Sequence, residues 1–185
     1  TALDETGYWQ GENAMYLGKF EVGAGRQPRF TRTATRRFSG MGAYAKSGAS
    51  PIQGLIKPGD IPPRGGLYLL DVVPDGEVRF GFPNINDNAE IAELIACGSH
   101  VILFSTGRGS VVGSAISPVI KVCANPDTWK RMADDMDVDA GRILEGRARL
   151  DEVGQEIVDL IVALGNGART RSEDLGHQEF ILGSK

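Results

Sequence analysis

A glycine-flanked arginine, Gly107-Arg108-Gly109-Ser110, directly follows the apolar run Val101-Ile102-Leu103-Phe104 and the hydroxyl pair Ser105-Thr106. A short apolar run ended by a glycine-rich turn reads as a buried strand, and open α/β sheets bind anions at the carboxyl ends of their strands. Glycines at 107 and 109 let backbone amides approach a ligand, while Ser105, Thr106 and Ser110 add hydroxyl donors. Arg108 offers a planar fork that matches a carboxylate or phosphate with two parallel hydrogen bonds. A dinucleotide fingerprint would need GxGxxG, whereas Gly113 falls one position late, and no GxxxxGK[ST] loop occurs. The competing reading is a tight turn that leaves Arg108 in solvent.

Other residues carry chemistry by their surroundings. Lys121 sits in Val119-Ile120-Lys121-Val122-Cys123, so its amine must reach a sheet end, a counter-ion or a ligand. A buried lysine loses basicity and so becomes a candidate general base; a structural ion pair with an aspartate is the alternative. Asp71 closes an apolar run, and Asp137 and Asp139 precede Gly141. Three carboxylates at one sheet edge would bind a metal or sugar hydroxyls; alternatively, Asp71 caps a turn and the other two cap the helix of Arg142. His100 reads as a turn residue before a strand. His177 lies in a tail that either docks on the domain or reaches a neighbour. Cys97 and Cys123 have no CxxC spacing and read as buried free thiols. No zinc-ligand spacing or nucleophile triad is present.

The elements that must position these residues follow from periodicity. Gly66-Leu67-Tyr68-Leu69-Leu70-Asp71-Val72-Val73 predicts a strand buried on both faces, preceded by a short strand from Ile52 to Ile56. Asn86-Asp87 with Glu90 offers a capped start for a helix carrying Ile91, Leu94 and Ile95 and closed by Gly98. Strands follow at residues 101–104 and 119–123. Asn125-Pro126 reads as an N-cap with proline at the first helical position, opening a helix through Trp129 and Met132. A last helix runs from about Asp151, with Val153, Ile157, Leu160, Ile161 and Leu164 on one face and Asn166-Gly167 at its end. Strands alternating with helices predict an α/β fold, a three-layer Rossmann-like sheet with substantial parallel pairing. Residues 1–35 read as an irregular N-terminal arm, a short helix is expected from Thr35 to Gly48, and residues 36–185 form the α/β domain.

Composition sets the outer limits. The chain has 185 residues, 41% apolar and 24% charged, which suits one domain with a real core. Its 25 glycines are close to twice the usual ~7% share, so many turns are expected. A net charge of −4 argues against broad nucleic-acid binding. Arg26, Arg29, Arg32, Arg36 and Arg37, interleaved with Phe30 and Phe38, form a basic stretch; it binds an anion or pairs with acidic surfaces of this chain or a neighbour. No apolar run approaches the ~20 residues of a membrane span and no signal peptide is visible, so a cytoplasmic protein without membrane partners is expected. A first residue other than methionine is expected of a fragment or a processed product.

Taken in order, five segments resemble one known family. They are Ser47-Gly48-Ala49-Ser50-Pro51-Ile52, Gly66-Leu67-Tyr68-Leu69-Leu70-Asp71, Phe104-Ser105-Thr106-Gly107-Arg108-Gly109, Pro118-Val119-Ile120-Lys121 with Asn125, and Asp137-Val138-Asp139-Ala140-Gly141. Over residues 36–180 the chain resembles the C-terminal region of the altronate and galactarate dehydratases. The Phe-[Ser/Thr]-Thr-Gly-Arg-Gly loop and the Asp-x-[Asn/Asp]-Ala-Gly turn are the most specific parts. Residues 74–87 depart from the family, being longer than its usual stretch and without its Ser/Thr-rich pattern.

The resemblance implies a hydro-lyase of carbohydrate metabolism that removes water from an aldonate or aldarate to give a 2-keto-3-deoxy acid. It implies a divalent metal, iron or manganese, whose ligands the sequence does not identify. It also implies an N-terminal domain or subunit of the same enzyme as partner, and a homo-oligomer. On that basis Lys121 and Arg108 are the catalytic candidates. Ser105, Thr106, Gly107, Arg108, Gly109, Ser110, Asn125, Asp137 and Asp139 are the candidate substrate-binding residues. A noncatalytic assembly domain and a stand-alone anion-binding module are the rival readings.

Overall fold

The computed structural model describes residues 51–70 and 87–181. The expected arm over residues 1–35, the helix from Thr35 to Gly48, the basic arginine stretch and Asp71 lie outside the described residues. The chain divides into two compact units, Thr1–Asn86 with Gly183–Lys185, and Asp87–Leu182. In the first, β1 (Ile52–Ile56) pairs in parallel with β2 (Leu67–Leu70). The apolar run at 67–70 predicts a strand buried on both faces, yet Leu67 is 42% exposed.

The second unit carries the remaining elements. Helix α1 (Asp87–Ala96) has Asp87 and Glu90 in its first turn and ends before Gly98, as its pattern predicts. Strands β3 (Ile102–Thr106), β4 (Val119–Cys123) and β5 (Val138–Asp139) pair in parallel in that order, so the fold is α/β with parallel sheets. The two-residue strand β5 falls where the sequence suggested only a turn, because two residues are too few to show a period of two. Helix α2 (Pro126–Met132) connects β4 to β5. Helices α3 (Gly141–Leu144), α4 (Leu150–Gly165) and α5 (Arg171–Asp174) follow.

Successive residues of β4 feed two separate apolar clusters, as alternation requires of a central strand. Val119 packs with Ile91 of α1, Ile102 and Val112, with Leu94, Ile95 and Phe104 around them. Ile120 packs with Val138 and with Val153 and Leu164 of α4, backed by Ile157, Leu160 and Ile161. The face of α4 chosen by the sequence pattern is therefore the one that is buried. Cys97 and Cys123 are both buried, and neither is in a disulfide.

The β3-to-β4 crossover, residues 107–118, has no helix. An irregular crossover must satisfy its backbone groups piece by piece. Val112 N donates to Ser110 Oγ at 3.2 Å, Ile116 N to Ser114 Oγ at 3.1 Å, and Gly113 N to Glu179 Oε2 at 3.0 Å. His177 Nδ1 meets the carbonyl of Val111, so the tail docks on its own domain. Gly113 allows this approach: a Cβ there would run into the His177 carbonyl oxygen and lie 2.9 Å from Ser172 Cβ.

Candidate functional site

The register fixes a row of residues at the carboxyl ends of the three parallel strands. Thr106 of β3 faces Cys123 of β4, and Cys123 faces Asp139 of β5. Two positions back along β4, Lys121 faces Phe104. The arginine loop leaves β3 at this edge, where the sequence placed it.

Local hydrogen bonds fix that loop. Gly109 N donates to Thr106 Oγ1 at 3.0 Å, and Thr128 Oγ1 of α2 donates to the Gly107 carbonyl at 2.8 Å. Gly109 has φ +89°, a left-handed conformation that a side chain resists. A Cβ there would also run into Met132 Sδ and lie 3.1 Å from Thr128 Cγ2. Ser110 and Thr106 thus spend their hydroxyl oxygens as acceptors inside the loop. Arg108 itself is exposed, and among the described residues its guanidinium has no hydrogen-bond or ion-pair partner. The amides of Gly107, Arg108 and Ser110 likewise have no partner among the described residues. Ser105 is exposed beside them.

Asn125 caps α2. Its Oδ1 accepts from Asp127 N at 2.9 Å and Thr128 N at 3.4 Å, and Pro126 occupies the first turn, as the sequence predicts. Cys123 Sγ donates to the Asn125 carbonyl at 3.3 Å. The cap thereby ties the end of β4 to the start of the helix that holds the arginine loop.

Asp137 and Asp139 do not work as a pair. Asp139 ends β5, with one oxygen 3.4 Å from Arg147 Nη2 and the other buried without a hydrogen-bond partner. Asp137 lies before the strand, where its Oδ2 accepts from Lys121 N at 2.7 Å and its Oδ1 from Arg171 N at 2.8 Å. Neither caps the helix of Arg142: the N-cap of α3 is Ala140, with no side-chain cap. Burial pushes the Asp137 carboxyl above its usual value of 3.8, against the lowering effect of the Arg171 and Lys121 amides.

Lys121 is fully buried, and its Nζ has no hydrogen-bond partner. Desolvation lowers its pKa from 10.5, while the charges of Asp135, Asp137 and Glu179 act to raise it. Of these three, Asp135 and Glu179 were missed in the sequence. Glu179 lies far along the chain from β4, and the nearest local signal is Thr170-Arg171-Ser172-Glu173, a capping box that starts α5. Thr170 N donates to Glu173 Oε2 at 2.8 Å, and Glu173 N to Thr170 Oγ1 at 3.3 Å.

Among the described residues no three His, Cys, Asp or Glu side chains gather as a metal ion would require. His100 is exposed at the start of β3.

Residues 34–185 match the C-terminal domain family of the D-galactarate/altronate dehydratases. The chain belongs to this family. Among members and relatives, it is 33% identical over 132 residues to the (2R)-sulfolactate sulfo-lyase subunit beta of Chromohalobacter salexigens, covering 71% of this chain and 31% of that protein. It is 28% identical over 165 residues to the galactarate dehydratase (L-threo-forming) of Escherichia coli K12, covering 88% of this chain and 29% of that one. The altronate dehydratase of the same organism is 30% identical over 142 residues, 77% of this chain and 26% of its own length. The chain thus spans less than a third of the length of each. The arginine loop, Lys121 and Asp139 all fall inside the family match, and no helix among the described residues is long and apolar enough to cross a membrane.

Proposed function

We propose that this chain is the carboxylate-binding and scaffold domain of a sugar-acid dehydratase, a hydro-lyase that converts an aldonate or aldarate to a 2-keto-3-deoxy acid. The observation that carries the reading is Arg108: an exposed guanidinium without a partner among the described residues, on a loop braced by Thr106 and Thr128. An unpaired guanidinium on the same loop as unpaired amides suits a carboxylate. Held there, the acid group takes up charge as the neighbouring carbon loses its proton, and Arg108 stabilises that charge. The hydroxyl on the next carbon then leaves as water after taking a proton, and the enol tautomerises to the keto acid. In this reading Lys121 exchanges a proton at Nζ, Ser105 and Ser110 contact the substrate, and Asp139 and the Asn125 amide face its hydroxyls.

The same reading takes the sheet β3–β4–β5, with apolar clusters on both sides of β4, as the core of a three-layer Rossmann-like domain. The enzyme is a cytoplasmic homo-oligomer completed by an N-terminal domain or subunit, and its iron or manganese takes ligands from that part. Likeness to a sulfo-lyase subunit favours a second substrate class, because elimination of sulfite beside a carboxylate needs the same grip.

The test is binding and turnover by the complete enzyme with galactarate, altronate and sulfolactate. Arg108→Lys keeps the charge but loses the fork, and is expected to weaken binding by roughly tenfold or more with little change in fold stability. Unchanged affinity in Arg108→Lys would remove the clamp. Absence of turnover on all three acids would remove the lyase assignment.

A further inference from the structure

Helix α2 holds the arginine loop and also carries a second arginine toward it. Thr128 and Met132 lie one turn apart on the helix, and both touch the loop. Thr128 Oγ1 donates to the Gly107 carbonyl at 2.8 Å, and Met132 Sδ fills the space that a Cβ at Gly109 would need. Arg131, three residues after Thr128, belongs to the same face, and its Nη2 approaches the same Thr128 hydroxyl at 3.5 Å. Thr128 is only 1% exposed, so this hydroxyl is a fixed point. It joins the carbonyl that directly precedes Arg108 to the guanidinium of Arg131.

The charges around this point are unbalanced. Arg108 and Arg131 are both exposed, and neither has an ion-pair partner among the described residues. Elsewhere in the same unit cations are neutralised: Lys130 of α2 pairs with Asp127, and Arg142, Arg147 and Arg149 each meet a carboxylate. Two unpaired guanidinium residues on elements pinned to one another make a locally positive spot on a chain of net charge −4. A ligand with negative charge at two points relieves their repulsion.

We propose that Arg131 is a second anion-binding residue of this site, so that the site takes an acid with two anionic groups. Arg108 grips one carboxylate and Arg131 binds the other. The proposal rests on reading Arg108 as the carboxylate clamp, and it narrows the substrate class to dianionic acids, an aldarate rather than an aldonate.

The test compares galactarate with galactonate, in which a neutral CH2OH replaces one carboxylate, by rapid-mixing titration of the complete enzyme read before turnover. The wild type is expected to bind galactarate tighter by roughly tenfold or more, the effect of one added charge-assisted contact. Arg131→Gln should cut this preference to within about twofold without moving the thermal unfolding midpoint, because the side chain is exposed. Arg131→Lys keeps the charge and should keep part of the preference. Arg108→Lys should weaken both acids. A wild type without preference overturns the proposal, and so does a preference that survives Arg131→Gln, whatever happens to the affinities themselves. A wild type that binds neither acid overturns the Arg108 reading and this proposal with it, whereas binding that responds to Arg108→Lys with no preference lost in Arg131→Gln removes Arg131 alone.

Discussion

The backbone amide of Lys121 donates to Asp137 at 2.7 Å, while the ammonium of the same lysine has no hydrogen-bond partner. Asp137 thus extends the β4–β5 ladder by one side-chain rung, and its other oxygen holds the first residue of α5. Both oxygens accept from amides, which a carboxamide cannot match. Asp137→Asn sets an NH2 against one N–H and is expected to cost about 1–3 kcal/mol in urea unfolding at pH 7. With the carboxyl pKa raised above 3.8 by burial, the folded state keeps its proton longer than the unfolded chain. The contribution of this group to stability therefore falls as pH rises through the window just above 3.8, and Asp137→Asn should flatten that slope.

Lys121→Met should stabilise the fold. An ammonium sealed in the sheet without a hydrogen bond is replaced by an apolar side chain of similar length, a change worth about 1–2 kcal/mol at pH 7. Because burial lowers the lysine pKa from 10.5, the folded state binds fewer protons than the unfolded chain between that lowered value and 10.5. Wild-type stability then rises with pH across this window, and the rise should vanish in the methionine variant. Denaturation series at several pH values measure both effects. A destabilised methionine variant would mean that the charge serves the fold rather than a reaction.

The two loop glycines should respond differently to alanine. Gly109→Ala meets both a positive φ and the Met132–Thr128 contact, and should cost about 1–3 kcal/mol. Gly107→Ala meets nothing within 4 Å and has no positive φ, so its stability should stay within about 0.5 kcal/mol of wild type. Thermal unfolding of the pair checks the contrast. Equal losses would show that the loop is not anchored on α2.

Asn125→Ala should cost about 1 kcal/mol through the lost cap of α2, and Asn125→Asp should recover most of it. If galactarate affinity of the complete enzyme drops in Asn125→Ala and returns in Asn125→Asp, the residue acts through the helix that holds the arginine loop. If only asparagine restores affinity, its amide touches the substrate.

Elements with strong local signals were legible from the sequence. The strand 119–123, the Asn125-Pro126 cap and the apolar face of α4 fall where periodicity and capping chemistry put them. Legibility stops where partners are distant in the chain. Asp137 looked like a helix cap because its sequence neighbours include Gly141 and Arg142, but its amide partners lie at 121 and 171. Lys121 could be recognised as out of place from its apolar flanks. That Glu179 accepts from Gly113 N depends on how the tail folds back, which no local pattern encodes.

The contact between Gly113 and Glu179 joins positions 66 residues apart, and so does that between Val111 and His177. During synthesis, β3, β4 and the arginine loop emerge well before either tail residue exists. The crossover is therefore unbraced on the ribosome until residues 177–179 are released, and its completion is a late, high-contact-order event. A truncation or fusion that interferes with those residues would leave the strands paired and disturb the crossover that follows the arginine loop.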